Sequence, residues 1–257
     1  MSLFPKKQFT KKTEKFVRSL YQKKYRLEHN MCICEGLRAC KELYILRPDI
    51  IEFGIAASGT DNSQFKGINF FVIEKHFFDK ISATVNTQGI ILISKIPDYH
   101  FLKQARSPFA LVLDRISDPG NLGTIFRTCA SVGLKDVWYS ADSVDPYSEK
   151  TIRSALSAQF ILNLYRYENI NSLVLELKFF GYNKIFRTEP AEGKSCFCEE
   201  KLFDKSVIIF GNEASGTKDV ASSVPINIPM PGKFESLNVA QAVTVILFEA
   251  VRRKILR

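Results

Sequence analysis

No stretch of this 257-residue chain approaches the roughly 18–20 consecutive apolar residues that a membrane-crossing helix needs. Its opening, MSLFPKKQFTKK, lacks an apolar core followed by a cleavage site, so no secretory signal is expected and a cytoplasmic protein is. Histidine is scarce: His29, His76 and His100 are scattered, and HExxH does not occur. The cysteines fall as Cys32 and Cys34, Cys40, Cys129, and Cys196 and Cys198. Neither CxC pair is joined by histidines at zinc spacing and CxxC is absent, so no metal site is expected. A chain this long needs no disulfides to hold its core, and free thiols are the expectation. No internal repeat occurs; ASGT at 57–60 and 214–217 has different flanks.

Acidic residues are nearly missing from one region. Residues 1–26 carry nine Lys/Arg against a single acid, Glu14, a local net charge of +8 out of +9 for the whole chain. Arg252, Arg253, Lys254 and Arg257 add a second basic group at the other end. Such clustering attracts polyanions through phosphate contacts and counterion release. A solvated lysine-rich tail would look the same. The apolar face of 14–25 is too short for membrane binding.

What is present is the alternation of an α/β protein. Helical patterns at 35–46 and 75–83 separate strand-like runs at 50–57, 68–73 and 89–96. They make a first unit over 1–96. The polar, proline-bounded stretch 97–108 predicts a linker. A second series follows over 109–257. Its predicted strands are 109–113, 136–140, 184–188, 206–210 and 225–229, and its predicted helices 122–133, 148–160, 172–182 and 238–253. Strands that are apolar throughout, rather than alternating, predict a parallel sheet covered on both faces.

Three segments of the second unit share one form, an apolar strand followed by a loop of Gly, Asn and small residues: LVLDRISDPGNLGTIFRT, VIIFGNEASGT and INIPMPGKFESLN. In open α/β sheets, ligands sit beyond the carboxyl ends of the strands, so these loops would converge. Neither nucleotide motif fits. GxGxxG does not follow the first strand, and GNEASGTK has Thr217 before Lys218 where a phosphate loop needs Lys first, with Glu213 inside to repel phosphate.

Together the three segments resemble the signature motifs of the SPOUT superfamily, specifically the SpoU/TrmH-type RNA ribose 2′-O-methyltransferases. The first is DPGNLGTIFRTCASVG with Asn121, Gly123 and Arg127. The second is IIFGNEASGT with Gly211, Asn212 and Glu213. The third is INIPMPGKFESLNVAQAVTVILFEAVR with Ser236, Leu237 and Asn238. The stretch FVRSLYQKKYRLEHNMCICEGLRACKEL is similar to the start of the family's substrate-binding domain. The family often has Ser and Gly where this chain has Ala155 and Ser157.

The resemblance implies a trefoil-knotted parallel-sheet catalytic domain behind a smaller, ribosomal-protein-like α/β domain, and a homodimer. It implies S-adenosyl-L-methionine as cofactor, bound by loop backbone around Gly211, with Ile228 and Leu237 beside the adenine and Met230 and Gly232 shaping the loop between. It implies that Arg127, Asn121, Glu213, Ser236 and Asn238 serve the attacking ribose hydroxyl. Family accounts make Arg127 a base, but a guanidinium is effectively always protonated. Holding the adjacent phosphate and stabilising the developing alkoxide suits it better. Asn121 is the expected N-cap of its helix, and Asn238 or Ser236 that of the last one. The expected partner is RNA, ribosomal rather than transfer RNA. A tRNA methyltransferase, an inactive RNA-binding assembly factor of the same fold and a small-molecule methyltransferase are the alternatives.

Overall fold

The computed structural model describes residues 8–97, 107–190, 192–212, 217 and 220–256. In chain order the elements are α1 (Lys11–Ser19), α2 (Lys23–His29), β1 (Met31–Glu35), α3 (Leu37–Leu46), β2 (Ile51–Ala57), β3 (Phe70–Ile73), α4 (Lys75–Ile81) and β4 (Ile90–Lys95). Next come β5 (Phe109–Leu113), α5 (Pro119–Ser131), β6 (Asp136–Ser140), α6 (Glu149–Ala155), β7 (Asn163–Tyr167) and α7 (Ile170–Phe179). The last are β8 (Lys184–Thr188), β9 (Lys194–Ser195), β10 (Ser206–Phe210), β11 (Val224–Asn227) and α8 (Val239–Arg252). Among the described residues, no helix is long and apolar enough to cross a membrane.

The chain divides into two compact units, and the division is not a single cut. The first contains residues 1–98 together with 145–161; the second contains 99–144 and 162–257. Most of the expected linker, residues 98–106, lies outside the described residues.

The first unit is built on a four-stranded sheet of order β1-β4-β2-β3, antiparallel except for the β2–β3 pair. One face carries Ile33, Ile55, Ile91 and Ile93 against Val17 and Leu20 of the N-terminal helical segment and Phe78 of α4. The other is covered by α3 and α6. Burial on both faces is why β1 reads MCICE with no polar alternation. That short run, ending in Cys and Glu, was not among the expected strands.

Residues 145–161 belong to this unit through specific bonds. Arg26, counted in sequence with the basic lead, is buried. Its Nε donates to Asp145 Oδ2 at 2.9 Å and its Nη1 to the Leu20 carbonyl at 2.8 Å. The helix expected over 148–160 stops at Ala155, because Leu156 and Ser157 turn left-handed with φ of 49° and 64°. A single 3-10 turn over Ala158–Ile161 follows. Ser157 occupies a conformation that favours glycine. Its fully buried Oγ donates to the Ala39 carbonyl at 2.9 Å, which offsets the strain.

The second unit carries a seven-stranded sheet of order β7-β6-β5-β10-β8-β11-β9, every neighbouring pair parallel. Central strands β5 and β10 are buried at every residue, as their apolar runs predict. The strands absent from the sequence reading, β7 and β9, lie at the two edges, where one flank is unpaired and polar residues are tolerated.

Helix α8 ends in a charge cluster. Glu249 is buried and accepts from Arg252 Nε and Arg253 Nε at 2.7 Å each. Arg253 also donates to the carbonyls of Cys196, Phe197 and Glu199, tying the helix to the turn after β9. Arg253 is therefore committed to internal pairing, while Arg252 meets Glu249 from a largely exposed position. Hydrogen bonds from Arg252, then from Arg253, hold the Glu249 carboxyl down from 4.5 to about 2.

Replacing Arg26 with Met strands the Asp145 carboxylate and the Leu20 carbonyl in the interior. We expect it to cost about 3–5 kcal/mol in chemical denaturation at neutral pH. Because the Glu249 pKa is depressed on folding, its contribution is present above 4.5 and disappears as pH falls towards about 2. With most of Arg252 in solvent, Glu249→Gln is expected to lose only roughly 1–2 kcal/mol at pH 7. The gap from wild type should close on acid titration towards pH 2; a pH-independent gap would contradict the assignment.

Candidate active site

All strands of the second unit end at one sheet edge, and the three loops of interest leave it there. The register β5–β10 pairs Leu113 with Phe210, so the loops that follow start side by side. They are bonded at once: Asp114 N–H donates to the Phe210 carbonyl at 2.8 Å, and Asn212 Nδ2 donates to the Arg115 carbonyl at 3.0 Å.

Helix α5 starts one turn earlier than expected. Its N-cap is Asp118, whose Oδ1 accepts from Asn121 N–H at 2.8 Å, with Pro119 at the first helical position. Proline has no N–H to leave unsatisfied there, and an Asp–Pro pair is a helix-start signal in sequence. Asn121 is thus inside the first turn rather than at the cap, and its side chain is available for another contact. At the other helix, Asn238 is the N-cap as expected, its Oδ1 accepting from Ala240 N–H at 3.0 Å. The Asn238 Nδ2 donates to Asn121 Oδ1 at 3.0 Å, so the mouths of α5 and α8 are joined by one amide pair. A second polar contact, Thr128 Oγ1 to Thr244 Oγ1 at 3.3 Å, lies further along the same helix pair.

Of the expected reacting groups, the structure brings Asn121 and Asn238 together. Arg127 projects from α5 into solvent, and among the described residues its guanidinium has no hydrogen-bond or ion-pair partner. Ser236 is exposed two residues before the α8 cap. Glu213 lies outside the described residues. Of the expected cofactor residues, Gly211, Ile228, Met230 and Leu237 are half-buried, and Gly232 sits in the exposed stretch 231–236. A Cβ added to Gly232 would meet no protein atom within 4 Å, so nothing in the protein's own packing requires glycine there.

The donor set can be tested against the expected cofactor. Half-buried apolar side chains suit an adenine, and neutral amides with loop backbone suit its polar edge. These groups fit. Sequence reasoning overlooked a polar shelf at the same sheet edge, on the β6 and β7 side of β5. Asp114, buried, accepts from the Tyr167 hydroxyl at 3.0 Å and from Arg115 Nε at 2.9 Å, while Ser140 Oγ accepts from Arg115 N–H at 2.7 Å. Burial first, then the Asp114 charge, pushes the Tyr167 phenol well above its ordinary range, so it remains a donor. An Asp at the end of an apolar strand was the available signal.

Comparison with known proteins identifies the family. Residues 108–248 match the SpoU rRNA Methylase family, and residues 11–92 match the MRM3-like substrate binding domain. The chain belongs to the SpoU rRNA Methylase family. Over 237 residues it is 29% identical to 23S rRNA (guanosine(2553)-2′-O)-methyltransferase RlmP of Bacillus subtilis, covering 90% of this chain and 92% of that one. It is 32% identical over 201 residues to 23S rRNA (guanosine-2′-O-)-methyltransferase RlmB of Vibrio cholerae, covering 73% and 79%. The AdoMet-bound rRNA methyltransferase structure from Sinorhizobium meliloti superposes with a TM-score of 0.78 at 25% identity, covering 96% of this chain and 98% of that one.

Within this SpoU chain the Asn121–Asn238 bond can be separated from capping. Asn238→Ser retains a capping oxygen but is too short to reach Asn121. The expected stability loss is below about 1 kcal/mol, while methyl transfer falls on the order of tenfold or more. Equal activity in the Ser variant would remove the amide pair from the site.

Proposed function

We propose that this protein methylates a ribose 2′-hydroxyl of ribosomal RNA of the 23S type, using S-adenosylmethionine. The observation that carries the reading is the Asn121–Asn238 bond, which gathers two of the three signature loops at the carboxyl edge of the parallel sheet. Bound S-adenosylmethionine supplies an electrophilic methyl group on a sulfonium.

Gly211, Ile228, Met230, Gly232 and Leu237 would hold that cofactor. The remaining work falls to groups of the chain. Asn121, Asn238, Ser236 and Glu213 orient the ribose so that its oxygen lies in line with the methyl, and alignment supplies most of the rate gain. Arg127 stays protonated, so it donates hydrogen bonds to the adjacent phosphate and to the oxygen as charge develops on it.

Residues 1–96 serve RNA binding, 97–108 link, and 109–257 carry methyl transfer and the trefoil knot. Support for the first role is a groove of about 570 Å³ lined by Lys11, Glu14, Lys15, Arg18, Ser19, Gln22 and Tyr25. It pairs surface cations with an aromatic wall, as nucleic-acid surfaces do. Ribosomal RNA is favoured over tRNA because this additional unit offers a second hold on a large RNA. Phe234 and Phe248, 81% and 52% exposed, favour a homodimer that covers them. The cytoplasm is the expected compartment.

The deciding measurement is transfer of tritiated methyl from S-adenosylmethionine to ribosomal and transfer RNA fractions. We expect labelled 23S-type RNA, and a loss on the order of 10²–10³-fold in Arg127→Ala. Label in tRNA alone would redirect the substrate. Cofactor binding with no transfer to any RNA would leave an assembly factor.

A further inference from the structure

Strand β8 lies between β10 and β11 in the parallel sheet, so its carboxyl end opens between the two loops that carry the expected cofactor residues. The register pairs Arg187 with Ile209 on one side and Thr188 with Ile226 on the other. Carried one residue past the end of β8, it sets Glu189 level with Gly211 and with Asn227, the neighbour of Ile228. The backbone continues the ladder there, the Glu189 N–H donating to the Ile226 carbonyl at 2.9 Å. Thr188 Oγ1 donates to the Ile209 carbonyl at 3.2 Å, so the strand end is held from both flanks.

The Glu189 side chain is only 11% exposed although it carries a charge. Arg187, two residues back on the same face, donates from Nε to Glu189 Oε1 at 3.3 Å. Its Nη1 donates to the Ser223 carbonyl at 2.9 Å, which fixes the guanidinium to the turn ahead of β11. Among the described residues, no other hydrogen bond or ion pair reaches the Glu189 carboxylate. A carboxylate can accept about four hydrogen bonds, and sheltered polar groups are ordinarily satisfied. Here one long bond is made, and the unmet acceptor capacity belongs to a residue level with the cofactor loops.

We propose that the Glu189 carboxylate accepts hydrogen bonds from the ribose hydroxyls of S-adenosylmethionine, an inference that rests on the cofactor assignment above. Arg187 already offsets the Glu189 charge, so the group calls for neutral donors rather than a second cation. The cofactor's ribose supplies two, and it is the portion bonded directly to the adenine expected beside Ile228 and Leu237. In open α/β sheets an acid near a strand end reads the ribose of dinucleotides for the same reason, an acceptor-only group meeting a hydroxyl. The cofactor's ammonium is the competing donor, but it belongs to the methionine end, away from the adenine.

The test is titration calorimetry, which needs neither RNA nor turnover. S-adenosylhomocysteine, its 2′-deoxy and 3′-deoxy analogues and its analogue lacking the amino group are bound to the wild type, Glu189→Gln and Glu189→Ala. At least one deoxy analogue is expected to bind the wild type roughly tenfold or more weakly than S-adenosylhomocysteine. Glu189→Ala should lose a similar factor for S-adenosylhomocysteine while that deoxy analogue changes by less than about twofold, so that hydroxyl and carboxylate are coupled. Glu189→Gln keeps an acceptor oxygen beside Arg187 and should fall between. Equal losses for S-adenosylhomocysteine and both deoxy analogues would reduce Glu189 to a support for the pocket and overturn the proposal. So would unchanged affinity in both variants, or coupling confined to the amino group. A wild type with no affinity for S-adenosylhomocysteine would instead defeat the cofactor reading, separately from Glu189.

Discussion

Parallel pairing is the constraint on which the second unit depends. Seven strands running in one direction bring all their carboxyl ends to a single edge, so loops distant in sequence become neighbours. The arrangement requires helices or loops over both faces, which is why β5 and β10 are apolar at nearly every residue. Register then does fine positioning. With Leu113 opposite Phe210, the Asp114 N–H bonds at once to the Phe210 carbonyl, and the first two signature loops leave the sheet side by side.

The polar groups at that edge complete what the sheet begins. Each helix mouth leaves backbone N–H groups in need of acceptors. Asp118 and Asn238 satisfy them with side chains that also fix the geometry of the loops in front. Buried charge is handled the same way elsewhere: Asp114 with Arg115, Arg26 with Asp145, and Glu249 with Arg252 and Arg253. Of these, the Arg26–Asp145 pair joins segments far apart in sequence, while the others act within one turn or one helix. Such pairs contribute less to net stability than to specifying one arrangement, since desolvation consumes much of their attraction.

Legibility in the sequence followed burial. Strands β5 and β10 are legible at their exact residues because burial on both faces makes a central strand a short continuous apolar run, and turn residues bound it. Strands β7 and β9 were not, since edge positions tolerate residues such as Asn163, Arg166 and Lys194 that look like loop. The helix over 148–160 was overextended because left-handed residues at Leu156 and Ser157 carry no glycine to announce them. The same is true of Arg115, whose strain is invisible in a string of letters. The cap expected at Asn121 lies at Asp118, where the Asp–Pro pair is the local helix-start signal.

An α/β protein with a parallel second unit, a basic front and three ordered loop motifs is written in local pattern, because periodicity, apolar runs and motif spacing are local properties. Folding in three dimensions adds that residues 145–161 join the first unit, that Arg26 is an interior ion-pair partner rather than a surface cation, and that Asn121 meets Asn238. Those outcomes turn on which polar groups, buried in the case of Arg26 and solvent-facing in the case of Asn238, find partners far away in the chain. Pairing across more than a hundred residues leaves no trace in local pattern.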